Sequence, residues 1–199
     1  MATAADNPTD GRVQRSERSR ETIVQALLDL VGDGNLQPTA QQVAAQANVG
    51  VRTVFRHFSD MDTLFAAMND RLIEELRPFF ARKPQAGSLD DRAAGLLAAR
   101  FQVFDRATPY MRSAALQRAH STFLQEEHAQ TVRTMRADLR FWLPELDGCE
   151  TAIGDALEVA LSFETWDRLR THQRLGVRRA REAVARTVAT LVAAIPVQP

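Results

Sequence analysis

The apolar positions of this chain recur at helical spacing almost throughout, and no run alternates with period two. Ile23, Ala26, Leu27, Leu30 and Val31 fall at i, i+3, i+4, i+7 and i+8, which predicts a first amphipathic helix ending near Gly32 to Gly34. From Thr39 to Phe58 the pattern is shorter and more punctuated. Thr39 and Gln42 form a capping box, Val43, Ala44 and Ala47 set a small buried stripe, and Asn48 tolerates the left-handed conformation of a sharp turn. Val49 plugs that turn, Gly50 can cap the next helix, and Val51, Val54, Phe55 and Phe58 are expected to line its inner face. Two short helices joined so tightly are the sequence form of a helix-turn-helix, whose second helix enters the DNA major groove. Arg52 and Arg56 fall outside the inner stripe and leave a polar ridge facing solvent.

The next stripe, Leu64, Phe65, Met68, Leu72 and Leu76, predicts a helix that Pro78 should kink or end. Past the loop of Lys83 to Ser88, a helix over Leu89 to Arg106 carries Leu96, Leu97, Phe101 and Phe104. Pro109 is placed to open a short one through Tyr110, Met111 and Leu116. A longer helix runs from about Ser121 to Leu143 and stops at Pro144, and two more cover about Glu150 to His172 and Val177 to Ile195. The expected fold is all-α: an N-terminal three-helix helix-turn-helix DNA-binding domain followed by a C-terminal helical bundle, about nine helices in total.

Composition changes this picture little. The 199 residues are 45% hydrophobic and 25% charged, with 25 basic and 25 acidic side chains, so net charge does not announce a nucleic-acid binder and its distribution matters more. Positive charge is nearly all arginine, Lys83 being the one lysine. Arg12, Arg15, Arg18 and Arg20 precede the first apolar stripe with only Glu17 among them; they read either as a solvated entry to a helix or as an arm on phosphates or the minor groove. The single Cys149 allows no intrachain disulfide and suits a reducing cytoplasm, and neither a secretion signal nor a bilayer-crossing run is present. His57, His120, His128 and His172 are scattered, no glycine-rich phosphate loop occurs, Cys149 has no evident base, and Glu126–Glu127 is an exposed pair. No catalytic residue, metal site or cofactor is expected, and the chain does not read as an enzyme.

These residues resemble the TetR family of one-component transcriptional regulators. The match runs through Arg20-x-x-Ile23-x-x-Ala26, Thr39-x-x-x-Val43-Ala44-x-x-Ala47-x-Val49, Thr53-Val54-Phe55-Arg56-His57-Phe58 and Asp62-x-Leu64-Phe65. Order, spacing and helix number agree over nearly the whole chain, while the specific motifs lie in the first third. The resemblance implies that Thr39 anchors a phosphate, that Ala40 and Gln41 lie on the turn behind it, and that Gly50, Val51, Arg52 and Thr53 face base edges. Arg52 alone among these can make a bidentate contact to guanine. His57 matches a position that commonly touches the backbone, and Arg56, Arg18 and Arg20 are candidate phosphate contacts. The family usually has tyrosine where Phe55 stands and lysine where Met61 stands, both as phosphate contacts, so DNA affinity is expected to lean on Arg56 or the N-terminal arginines.

The small, polar, proline-interrupted N-terminus is expected to be a disordered tail over residues 1–15, followed by a DNA-binding domain over 16–62 and a ligand-binding and dimerisation domain over 63–199. Helix-turn-helix proteins bind pseudo-palindromes as dimers. Ile153, Leu157 and Ala160 on one late helix, with Ala180, Val184, Val188 and Leu191 on the last, are expected to build a four-helix homodimer interface. Phe101, Phe104, Tyr110, Gln117, His120, Phe123, Trp142, Phe163 and Trp166 are candidates for lining an apolar small-molecule site, although an aromatic stripe at helical spacing is more often plain core. The function this implies is a cytoplasmic DNA-binding repressor, released from a pseudo-palindromic operator by a small hydrophobic effector. The alternative is a helical-bundle small-molecule-binding protein with weak or lost DNA binding.

Overall fold

A computed structural model describes residues 8–80 and 87–196, and every regular element among them is helical. In chain order these are α1 (Pro8–Gly32), α2 (Ala40–Gln46), α3 (Val51–His57), α4 (Met61–Phe80), α5 (Leu89–Gln117), α6 (Thr122–Trp142), α7 (Thr151–Ala160), α8 (Phe163–Asp167) and α9 (Val177–Val192). Short 3-10 turns over Arg118–His120 and Pro144–Gly148 flank α6, and a π-helical turn over Arg168–His172 follows α8.

Four boundaries differ from those read in the sequence. α1 begins at Pro8, so 8–15 are helical where a disordered tail was expected, and the expectation for 1–7 lies outside the described residues. Proline suits a first helical position because the N–H it lacks has no intrahelical partner there. α4 runs through Pro78 to Phe80 rather than stopping short of it. α5 is one continuous helix through Pro109, which therefore does not open a separate element. The Thr108 hydroxyl bonds back to the Phe104 carbonyl, and Val103, Phe104, Ala107 and Ser113 are buried on either side, so packing over two flanking turns offsets the lost backbone bond. The expected helix over 150–172 is broken at Ser162, whose hydroxyl accepts from the Thr165 N–H and donates to the Val159 carbonyl, ending α7 and capping α8.

Two compact units result. The first holds the described residues up to Glu74 together with Arg112–Leu124; the second holds Glu75–Met111 and the residues from Gln125 onward. The change from one to the other falls inside α4, beyond residue 62, and the end of α5 returns to the first unit.

The second unit has two apolar clusters. One joins Ala93 and Leu96 of α5, Leu139, Trp142 and Leu143 of α6, Leu157 and Ala160 of α7, and Val184, Val188 and Val192 of α9. The other joins Phe104, Phe163, Trp166 and Ala180. This corrects the expected dimer face. Leu157, Ala160, Ala180, Val184 and Val188 are buried in the chain's own core, Leu157 and Ala180 with no exposed surface at all, so they have nothing to offer a partner. Only Ile153 and Leu191 of that set remain partly exposed. The stripe of α9 found its wall within the molecule.

Polar pairs tie the same helices together. Arg92 of α5 forms an ion pair with Glu145 and donates to the Trp142 carbonyl, which lowers the Glu145 pKa and raises that of Arg92. Arg100, almost fully buried, reaches Asp138 at 3.2 Å and the Met135 carbonyl at 3.1 Å; burial pulls its pKa down against that pairing.

Candidate nucleic-acid interface

The first unit is built on α1, α2 and α3, each packed on the other two. Ile23, Leu27 and Val31 of α1, Val43 and Ala44 of α2, and Val54 and Phe58 in and just after α3 are buried. α2 starts as its sequence requires. Thr39 is extended, its hydroxyl accepts from the Gln42 N–H at 3.3 Å, and the Gln42 side chain accepts from the Thr39 N–H at 2.8 Å. The turn to α3 passes through Asn48 at φ 53°, the left-handed conformation expected of it. Gly50 caps α3 with an ordinary φ of −74°, no side-chain hydrogen bond, and open space where a Cβ would stand. The fold therefore does not demand glycine at 50.

The outer side of this unit gathers most of the predicted DNA residues. Thr39, Gln41, Gly50, Arg52, Phe55 and Arg56 are exposed, and Ala40, Val51, Thr53 and His57 are partly so. Arg52 leaves the first turn of α3, the end that enters a groove in helix-turn-helix proteins. Arg18 and Arg20 are exposed on α1.

Three details alter the roles expected of them. Phe55 was placed on the inner face, but its ring is 47% exposed beside Arg52 and Arg56 on the same short helix. An exposed aromatic there can meet a thymine methyl or a sugar but cannot donate to a phosphate. Arg20 lays its guanidinium over the Phe58 ring at 5.0 Å, which makes it a cation–π contact inside the unit as well as a surface charge. His57 keeps Nε2 shielded from solvent without a partner, and burial, then Arg56, then Arg20 hold its pKa below the usual 6.5. At neutral pH the imidazole is uncharged, and Nε2 cannot reach a phosphate in this conformation.

Residues 23–68 match the family model described as bacterial regulatory proteins, tetR family. The family resemblance thus falls on the first unit. No curated protein matches the chain. Among solved structures it is similar to a transcriptional regulator from Rhodococcus sp. Rha1, at 22% identity and a TM-score of 0.70, covering 90% of this chain and 99% of that one. At that identity the likeness concerns the fold, helix-turn-helix and helical C-terminal region alike.

The nine candidate ligand residues do not form one group. Phe101, Phe104, Phe163 and Trp166 pack ring on ring in the second unit, with centroids 5.7 to 6.1 Å apart. Trp142 belongs to the other cluster, around Leu139 and Leu157. Gln117 lies in the first unit, where its amide reaches the Leu36 carbonyl at 3.4 Å and Ser113 Oγ at 3.0 Å. His120 is exposed, whereas Tyr110 and Phe123 are half-buried. A cavity lined by Arg136, Leu139, Arg140, Leu146 and Gly154 has a volume of about 10 Å³, room for one water. None of the nine lines it. Sequence reading missed Ser113, fully buried and donating to the Leu36 carbonyl at 2.8 Å just ahead of the Thr39 cap. A lone serine in an apolar stretch was the signal.

Proposed function

We propose that this regulator is a homodimeric repressor that binds a pseudo-palindromic operator and leaves it when a small hydrophobic effector occupies its C-terminal helices. The observation that carries the reading is the exposed ridge of Arg52 and Arg56 on α3, a helix whose opposite side is buried through Val54. Arg52 reads a guanine, while Arg56, Arg18 and the first turn of α2 hold phosphates. Partly exposed Ile153 and Leu191, with Val159 at 65% exposure, support a second copy docking on α7 and α9. The aromatic group of Phe101, Phe104, Phe163 and Trp166 supports effector binding, since such rings are what an apolar ligand would displace. Differential effector affinity for two dimer conformations suffices to couple the sites. The compartment is the cytoplasm, where the operator is.

The rival is a small-molecule-binding protein that has given up DNA, favoured by Phe55 and Met61 at positions where the family's usual phosphate-contacting tyrosine and lysine are missing. A salt-dependent gel shift on the DNA flanking the chain's own gene separates the two. A specific band is expected, and Arg52→Ala should keep the band while relaxing base preference at one position of each half-site. No specific band at low salt decides for the rival.

A further inference from the structure

α1 continues well beyond the core it helps to build. Its buried stripe begins at Ile23, yet the helix starts at Pro8. Between Arg12 and Thr22 every residue is exposed except half-buried Ser19. These 11 residues make about three turns, roughly 16 Å of helix, with Val13 as their one apolar side chain. An isolated helix of this kind is marginal in water; here it propagates from the buried half. At about 100° per residue, Arg12, Arg15 and Arg18 wind along one ridge; of the two acids in the stretch, Glu17 sits about 100° or more round the helix from each, and Glu21 lies about 60° from Arg18, one turn nearer the core.

The place from which this stretch departs is fixed. Arg20 stacks on Phe58 at 5.0 Å, so the overhang leaves the three-helix core beside the C-terminal end of α3. A recognition helix presents its N-terminal residues to the bases, which leaves its other end toward the strand backbone. A protein partner or a lipid surface would require an apolar centre that one valine does not supply. Duplex DNA, with one charge per about 1.7 Å of axis, needs only the arginines.

We propose that the helical overhang of α1 is a second DNA-contacting surface, on which Arg12, Arg15 and Arg18 engage phosphates flanking the bases that α3 reads. The proposal rests on the reading of the chain as a DNA-binding protein and adds a rigid, sequence-independent clamp outside the operator core. Arg20 belongs to the anchor rather than to the clamp.

The test uses the full chain, a core duplex selected by it from a random-sequence pool, and the same core extended by about one helical turn of arbitrary sequence on each side. Fluorescence anisotropy across a salt series reads affinity. The wild type should bind the extended duplex more tightly than the core. A triple substitution, Arg12→Ala, Arg15→Ala and Arg18→Ala, should abolish that gain and flatten the log–log salt slope by up to about 5, three arginines being lost from each protomer of the dimer. Alanine favours the helix, so circular dichroism should show helix content unchanged. The corresponding triple Lys variant should restore the slope. Equal slopes and equal flank gain for wild type and the Ala variant overturn the proposal while leaving the operator reading intact. Loss of self-association in the Ala variant, seen by sedimentation, overturns it in favour of a protein contact. A wild type that selects and binds no duplex removes both the proposal and the reading beneath it.

Discussion

Arg52, Phe55 and His57 share one seven-residue helix and meet three different physical situations. Arg52 is exposed and has the planar fork that guanine requires. Phe55 is exposed without a polar tip, so adding one should matter. Phe55→Tyr restores a donor at the edge of the ridge and is expected to tighten operator binding by on the order of 1 kcal/mol, read by anisotropy at fixed salt. Little change in folding stability is expected, because the ring is half in solvent already. His57 gives a pH dependence with a definite sign. Its folded-state pKa lies below 6.5, so the unfolded chain takes up the proton first on acidification. Stability from this group is complete above about 6.5 and is lost as pH falls from there through the lower folded value. Urea titrations from neutral into mildly acidic conditions should show that loss, and His57→Gln should remove it. Asp60, whose carboxylate accepts from Thr63 at the head of α4, is lowered from 3.8 and acts only in a more acidic window, so the two effects separate.

Among the elements, local signals carried the most information where they were complete within a few residues. The Thr39–Gln42 box and the left-handed Asn48 fixed both ends of α2 before any tertiary contact was considered. The Ser162 cap was just as local, but it sits in the apolar run from Leu157 to Phe163, where helical periodicity outweighed it. Pro109 misled for the opposite reason: a local rule against proline was overridden by burial of Phe104, Ala107 and Ser113 around it. Which wall a stripe leans on cannot be read from spacing, and α7 and α9 turned their best apolar faces inward. A pair of substitutions makes that distinction measurable. Leu157→Ala should cost about 2 to 5 kcal/mol of stability through a cavity, by urea denaturation. Val159→Arg, two residues away but 65% exposed, should leave helix content unchanged and shift sedimentation to monomer. If Val159→Arg stays dimeric, the docking face lies elsewhere.

For the molecule as a whole, the zero net charge conceals an uneven distribution. Arg12, Arg18, Arg52 and Arg56 are exposed on α1 and α3, whereas acids such as Asp138, Glu145, Asp155 and Glu158 pair with Arg100, Arg92 and Arg136 within the second unit. The family resemblance was legible because the motifs of residues 23–68 are short-range. The composition of the first unit was not, because Arg112–Leu124 joins it across a wide gap in sequence.

That gap sets a rule for anyone who would cut the protein apart. The carbonyl of Leu36, in the connection that leads to the Thr39 cap, is held by Ser113 and Gln117 from the far end of α5. A fragment ending at residue 74 carries the whole family match and lacks both donors. Ser113→Ala in the intact chain should cost about 1 kcal/mol by leaving that acceptor only the longer bond from Gln117, and the fragment, which lacks both donors, should lose more, seen as a lower urea midpoint. A chimera that grafts only residues 1–74 onto another sensor would inherit an unsupported reading head. One that also carries 112–124 would transplant it whole.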